Sequence, residues 1–72
     1  MKHNKDNELQ KIGEKLKNIR KNKKMSLKML AYKIDKEPQS ICRLEKGKVN
    51  PTYIYLLDVC RGLEIEFVEL FK

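Results

Sequence analysis

The stretch at residues 26–47, SLKMLAYKIDKEPQSICRLEKG, admits few folds because it carries its own punctuation. Ser26 is a favoured helix N-cap. Met25 precedes it and Leu30 falls four positions into the helix, the arrangement of a hydrophobic staple. Leu27, Leu30, Ala31 and Ile34 then recur at spacings of three and four, one apolar stripe of a short helix. Ala31 is small enough to let a second helix approach closely. Asp35-Lys36-Glu37 is a charged turn. Pro38 restarts the helix, since its fixed φ and missing N–H suit the first helical position. The residue before a proline is pushed out of the helical region, which makes Glu37 the cap, with its charge suited to a helix N-terminus. Ile41 and Leu44 point inward, and Gly47 supplies the left-handed residue that ends a helix after Lys46. The stretch reads as two short helices joined by a tight turn, the second spanning residues 38–46.

A chain of 72 residues forms one small domain. At this size only roughly 60% of the unfolded surface is buried, so stability needs help from disulfides, a metal or oligomerisation. Cys42 and Cys60 have no partners at zinc-ligand spacing, and His3 stands alone. The cysteines read as small apolar packing residues. The start, MKHNKDNELQK, has no apolar run of the signal-peptide kind, and no segment approaches membrane-spanning length. Asn50-Pro51-Thr52 has Pro at the forbidden middle position of a glycosylation sequon. We therefore expect a soluble, reduced, cytoplasmic protein without metal or cofactor, stabilised by oligomerisation.

Upstream, residues 1–6 are polar and are expected to be a disordered tail. Leu9, Ile12, Leu16 and Ile19 lay one stripe along a helix at 7–22. Gly13 inside it costs roughly 1 kcal/mol of helix propensity against Ala and makes room for close packing. Downstream, residues 48–51 form a loop and Thr52 caps a fourth helix that runs to Leu63, with Ile54, Leu56, Leu57 and Cys60 among its apolar positions. Ile65, Phe67, Val68, Leu70 and Phe71 form a short fifth helix. They are too many for one face of a terminal helix. We expect Leu70 and one Phe to close the core, and a self-association surface drawn from Ile65, Phe67, Val68 and Phe71. With no strand-like alternation, the expected fold is all-α, a compact five-helix domain over residues 7–72.

The charge is lopsided. Residues 1–50 hold 15 Lys/Arg and 6 Asp/Glu, against 2 and 4 in residues 51–72. A basic domain with its charge concentrated in one part is an electrostatic footprint for nucleic acid; a Lys-rich solubilising surface is the bland alternative. The basic segments lack the Trp/Phe-rich opposite face of a membrane-binding helix. No nucleophile–base arrangement, paired carboxylates or phosphate-cradling glycine loop is present, so we expect no enzyme.

The pieces IGEKLKNIRKNKKMSL, LAYKI, SICRLEKGKVNPT and LEIEFVELF, in this order and spacing, make the chain resemble the phage-repressor-like (Cro/cI, XRE-type) helix-turn-helix family. The resemblance covers about five-sixths of the sequence. It implies a lambda-repressor-like fold of five helices, with the second and third as the DNA-reading unit. It also implies a homodimeric regulator on a palindromic operator, of the kind that includes Cro-type repressors, restriction–modification controllers and DNA-binding antitoxins. Gln39, Ser40 and Arg43 fall where the family reads base edges. Gln can bridge adenine N6/N7, and Arg can grip guanine O6/N7. Arg20 and Glu45 fall where members often form an ion pair between the first and third helices. Lys28, Lys36, Lys46, Lys48, Asn50 and Tyr53 are the candidate phosphate contacts, which position without reading sequence. The chain departs from the family at Leu27, where a Gln is common; at Asp35, where a Gly is common; and at Glu37, where Ser or Thr usually caps. These departures lend some weight to an alternative, a partner-binding module that uses the helix-turn-helix as scaffold.

Overall fold

A computed structural model describes residues 5–72. Four α-helices follow one another: α1 (Lys5–Asn22), α2 (Leu27–Ile34), α3 (Pro38–Glu45) and α4 (Tyr53–Leu63). A 3-10 helix, Phe67–Phe71, closes the chain. There is no strand among the described residues.

Each boundary has a local cause. α1 begins at Lys5, two residues before the expected start, and carries Asp6 and Glu8 in its first turn, where acidic side chains suit the helix dipole. Residues 1–4 of the expected tail lie outside the described residues. The Ser26 Oγ accepts from the Met29 N–H at 3.0 Å, and the Thr52 Oγ1 accepts from the Tyr55 N–H at 3.0 Å. Asp35 ends α2 in the left-handed region (φ 58°). Its turn is closed by the Lys36 N–H donating to the Ala31 carbonyl at 2.9 Å. α3 ends at Glu45, one residue short of the expected span, with Lys46 as its cap. Gly47 follows at φ 73°. There the Lys48 N–H donates to the Arg43 carbonyl (2.9 Å) and the Gly47 N–H to the Leu44 carbonyl (3.1 Å), a Schellman closure.

The core draws on every element. Leu16, Leu30, Ala31, Ile41, Leu44, Val59, Cys60, Leu63 and Leu70 are all buried. Two glycines set how closely the helices approach. A Cβ on Gly13 of α1 would come within 2.6 Å of the Glu45 carbonyl oxygen, so α3 can lie against α1 only if that position has no side chain. A Cβ on Gly62 would come 2.5 Å from the Ile34 Cγ2, which holds α4 close to α2.

The expectation of five helices needs one correction: the fifth is a 3-10 helix of five residues. A segment of one turn and a half gains little from α-type bonding, whereas the 3-10 geometry stacks side chains at i and i+3. That spacing puts Phe67 and Leu70 on one side and Val68 and Phe71 on the other. Leu70 is buried and Phe67 packs on the core, while Val68 and Phe71 are 57% and 66% exposed.

Candidate nucleic-acid interface

α3 is short, and what it buries decides what it can offer. Ile41, Leu44 and Glu45 turn inward. Gln39, Arg43 and Lys46, at i, i+4 and i+7, form an exposed stripe on the other side. Ser40 and Cys42 flank it, half-buried. Beside the stripe lies a shallow depression lined by Glu37, Gln39, Ser40, Arg43, Val49 and Tyr55. Lys48 and Asn50 are exposed on the loop that follows α3, and Lys28 is exposed in the first turn of α2.

α3 is held from behind by a charged anchor. The Arg20 Nε donates to the Glu45 Oε2 at 2.7 Å, and a second guanidinium nitrogen donates to Oε1 at 3.1 Å. The remaining nitrogen donates to the Met25 carbonyl at 2.7 Å. Both residues are buried, with 6% and 8% of their surface exposed. The planar fork of arginine matches a carboxylate in this two-bond geometry. One side chain of α1 thereby fixes the end of α3 and the start of α2. Desolvation opposes the attraction, so the pair orients the helices more than it stabilises them.

On the α4 side, α3 meets a second polar contact that sequence reasoning missed. The Ser40 Oγ and the Tyr55 hydroxyl are 2.6 Å apart. The Lys36 ammonium lies 5.3 Å from the centroid of the Tyr55 ring and 4.0 Å from the Asp58 Oδ2, and Asp58 also pairs with Arg61 at 3.1 Å. Lys36, expected at a phosphate, is thus already engaged with Tyr55 and Asp58. No local signal marks the contact, because Ser40 and Tyr55 lie on different helices and carry no pattern at their separation.

Tyr53, another expected phosphate contact, stands in an aromatic row at the C-terminal face. Its ring centroid is 5.2 Å from that of Phe67, edge-on, and Phe67 is 5.4 Å from Phe71. Ile54 beside it is 63% exposed. Neither was expected on this face. α4 carries apolar residues around most of its circumference, so periodicity cannot say which of them stays uncovered.

Glu8, Glu45, Asp58, Glu64 and Glu69 pair with lysine or arginine. Among the described residues, Lys28, Arg43, Lys46 and Lys48 have no acidic partner within ion-pair distance, and the same holds for Lys17, Lys21, Lys23 and Lys24 along α1 and the loop after it. The exposed Glu64 carboxyl is held below its ordinary value, first by a hydrogen bond from Lys33 and then by that ammonium's charge.

Comparison with known proteins matches residues 16–70 to the helix-turn-helix family. The chain belongs to that family, in its phage-repressor (XRE) branch. Two solved structures share the fold of this helix-turn-helix protein. The restriction–modification controller protein C.AhdI from Aeromonas hydrophila is 30% identical, with a TM-score of 0.86 over 89% of this chain and 97% of that one. The clp gene regulator ClgR from C. glutamicum is 21% identical, with a TM-score of 0.85 over 97% of this chain and 87% of that one, a likeness of fold. No curated protein matches by sequence. DNA-binding transcription regulation is the function these relationships support. Among the described residues, no helix is long and apolar enough to cross a membrane.

Proposed function

We propose that the chain is a homodimeric, sequence-specific transcription regulator that binds a palindromic operator with α3 in the major groove. The observation that carries this reading is the stripe Gln39–Arg43–Lys46, exposed and without acidic partners on a helix anchored from behind by Arg20 and Glu45. Arg43 grips a guanine, Gln39 bridges an adenine, and Ser40 adds a hydrogen bond at the edge of the depression. Lys28, Lys46, Lys48 and Asn50 neutralise or bond phosphates and hold the register. Affinity then falls steeply with salt, as counterions released on binding are harder to displace.

The C-terminal face supports the dimer in this reading. Val68 and Phe71 are mostly exposed, and Phe67 and Tyr53 extend the surface. A two-fold axis through this face sets the two copies of α3 about 34 Å apart, one turn of DNA. Protein concentration and dimerisation then control occupancy. That suits a repressor or an activator that binds cooperatively. A cytoplasmic setting suits both the DNA target and the free thiols of Cys42 and Cys60.

Selection of bound duplexes from a random pool, at two salt concentrations, tests the reading. Wild type should enrich a palindrome with half-sites one turn apart. Arg43→Ala should cost about 1–3 kcal/mol at one base pair of each half-site and relax the preference there. Salt-sensitive binding with no enriched motif would reject base reading and turn attention to a protein partner for the C-terminal face.

A further inference from the structure

The contact between Ser40 and Tyr55 has a direction, and the direction matters for what Ser40 can read. Each hydroxyl carries one proton and two lone pairs, so in the 2.6 Å pair one donates and the other accepts. A phenol is the stronger donor of the two, and an aliphatic hydroxyl oxygen the stronger acceptor. The Lys36 ammonium near the Tyr55 ring draws electron density from it and reinforces that polarity. We propose that Tyr55 donates to Ser40, which occupies one of the two Ser40 lone pairs and keeps the Ser40 proton off the phenol, so that Ser40 meets the DNA with its proton available and its accepting capacity halved. Tyr55 is then a positioning residue for sequence reading, and the inference rests on α3 being the base-reading helix.

The surroundings suit this role. Tyr55 is fixed at its backbone, where its N–H donates to the Thr52 Oγ1 at 3.0 Å. Its ring is fixed on one side by Lys36, which Asp58 holds in turn. Ser40 and Tyr55 both line the depression beside the exposed stripe, where a base edge would enter. A donor at this point suits guanine O6 or N7, adenine N7 or thymine O4, and meets no partner in the cytosine amino group. Without the phenol, the Ser40 hydroxyl is free to rotate, and both of its lone pairs are open to accept. Binding persists, but the preference at that base pair flattens.

The experiment compares wild type with Tyr55→Phe, Ser40→Ala, Ser40→Thr, Arg43→Ala and the Tyr55→Phe/Ser40→Ala double variant, each by selection from a random duplex pool. Tyr55→Phe keeps the ring under Lys36, and a thermal melt by circular dichroism verifies that it folds. Tyr55→Phe and Ser40→Ala should blur the same base pair, by about three- to tenfold in discrimination. The double variant should blur it no further than Ser40→Ala alone, because the two groups act through one contact. Ser40→Thr, which keeps the hydroxyl, should retain the preference, and Arg43→Ala should blur a different position. An unchanged motif with Tyr55→Phe, or an equal weakening at every position, would overturn the proposal. If wild type enriches a motif that Arg43→Ala blurs and Tyr55→Phe does not, this inference fails alone. If wild type enriches no motif, the base-reading function fails with it.

Discussion

The two exposed ends of this molecule leave opposite things unfinished. On α3, the loop after it and the first turn of α2, the cations Lys28, Arg43, Lys46 and Lys48 have no acidic partner, and Glu37, the cap of α3, is an exposed acid beside them without an ion pair. At the C-terminal face the side chains left exposed are apolar: Val68 and Phe71, with Tyr53 and Ile54 on α4. Unpaired exposed cations cost a protein little in water, because the ammonium and guanidinium stay hydrated, and they attract a polyanion over a Debye length. Exposed aromatic surface loses free energy at every ångström squared left in water and is gained back only by contact. One face therefore works at a distance and through salt, the other only on contact. The proposed function uses this difference: nucleic acid for the first face, a second apolar surface for the other.

The largest effect should come from breaking the anchor that sets the first face. Glu45→Ala leaves the Arg20 guanidinium buried without its counter-charge. It should destabilise the fold by roughly 3–5 kcal/mol in urea unfolding, with DNA binding lost as a consequence. A loss below 1 kcal/mol would mean that α3 is held by its apolar contacts alone. Next comes the apolar face. Phe71→Ser should weaken self-association by about 2 kcal/mol, roughly thirtyfold in the dissociation constant, by sedimentation. Its monomer fold should persist, because Phe71 is 66% exposed. Assembly that ignores the change would move the interface off the 3-10 helix. A smaller effect is expected from Lys46→Ala, which should lower the slope of log K against log salt by about one, while leaving the selected motif intact. An altered motif would make Lys46 a reader of bases.

The smallest effect belongs to an ion pair far from either role, Lys33–Glu64 at 3.0 Å. The Glu64 carboxyl titrates below its ordinary 4.5 because Lys33 bonds and charges against it. A carboxyl lowered on folding adds stability that is complete above its unfolded value and is lost as pH falls through the folded one. Acid unfolding followed between pH 5 and pH 3 should therefore steepen slightly in wild type relative to Lys33→Ala. Identical acid profiles would show that solvent screens the pair entirely, as it does many exposed ion pairs.

Much of the fold was legible because its boundaries are made by single residues. Ser26, Pro38, Gly47 and Thr52 act through their own covalent geometry or their own hydroxyl, within four residues of the groups they satisfy. The inward stripes of α1, α2 and α3 were legible for the same reason, since 3.6-residue periodicity is local. Asp35 at φ 58° is a less common solution to a turn where glycine is usual, and its short side chain is what permits it. The end of the chain was harder. Ile65, Phe67, Val68, Leu70 and Phe71 are apolar without a clean period, and their division between core and surface follows from the 3-10 geometry adopted by Phe67–Phe71.

Alone, the order of residues determined that this chain is helical, where most of its helices start and stop, and that Gln39, Ser40 and Arg43 are neighbours on one helix. Those are consequences of backbone sterics, capping and charge count. Only the tertiary structure decided which polar groups meet across helices. Glu45 is drawn to Arg20, Lys36 to Asp58 and the Tyr55 ring, and the exposed Tyr53 ring to Phe67. The Ser40–Tyr55 hydrogen bond belongs to the same class. A contact of a few ångströms between side chains on different helices depends on crossing geometry, which packing at Gly13 and Gly62 sets and which no local pattern encodes.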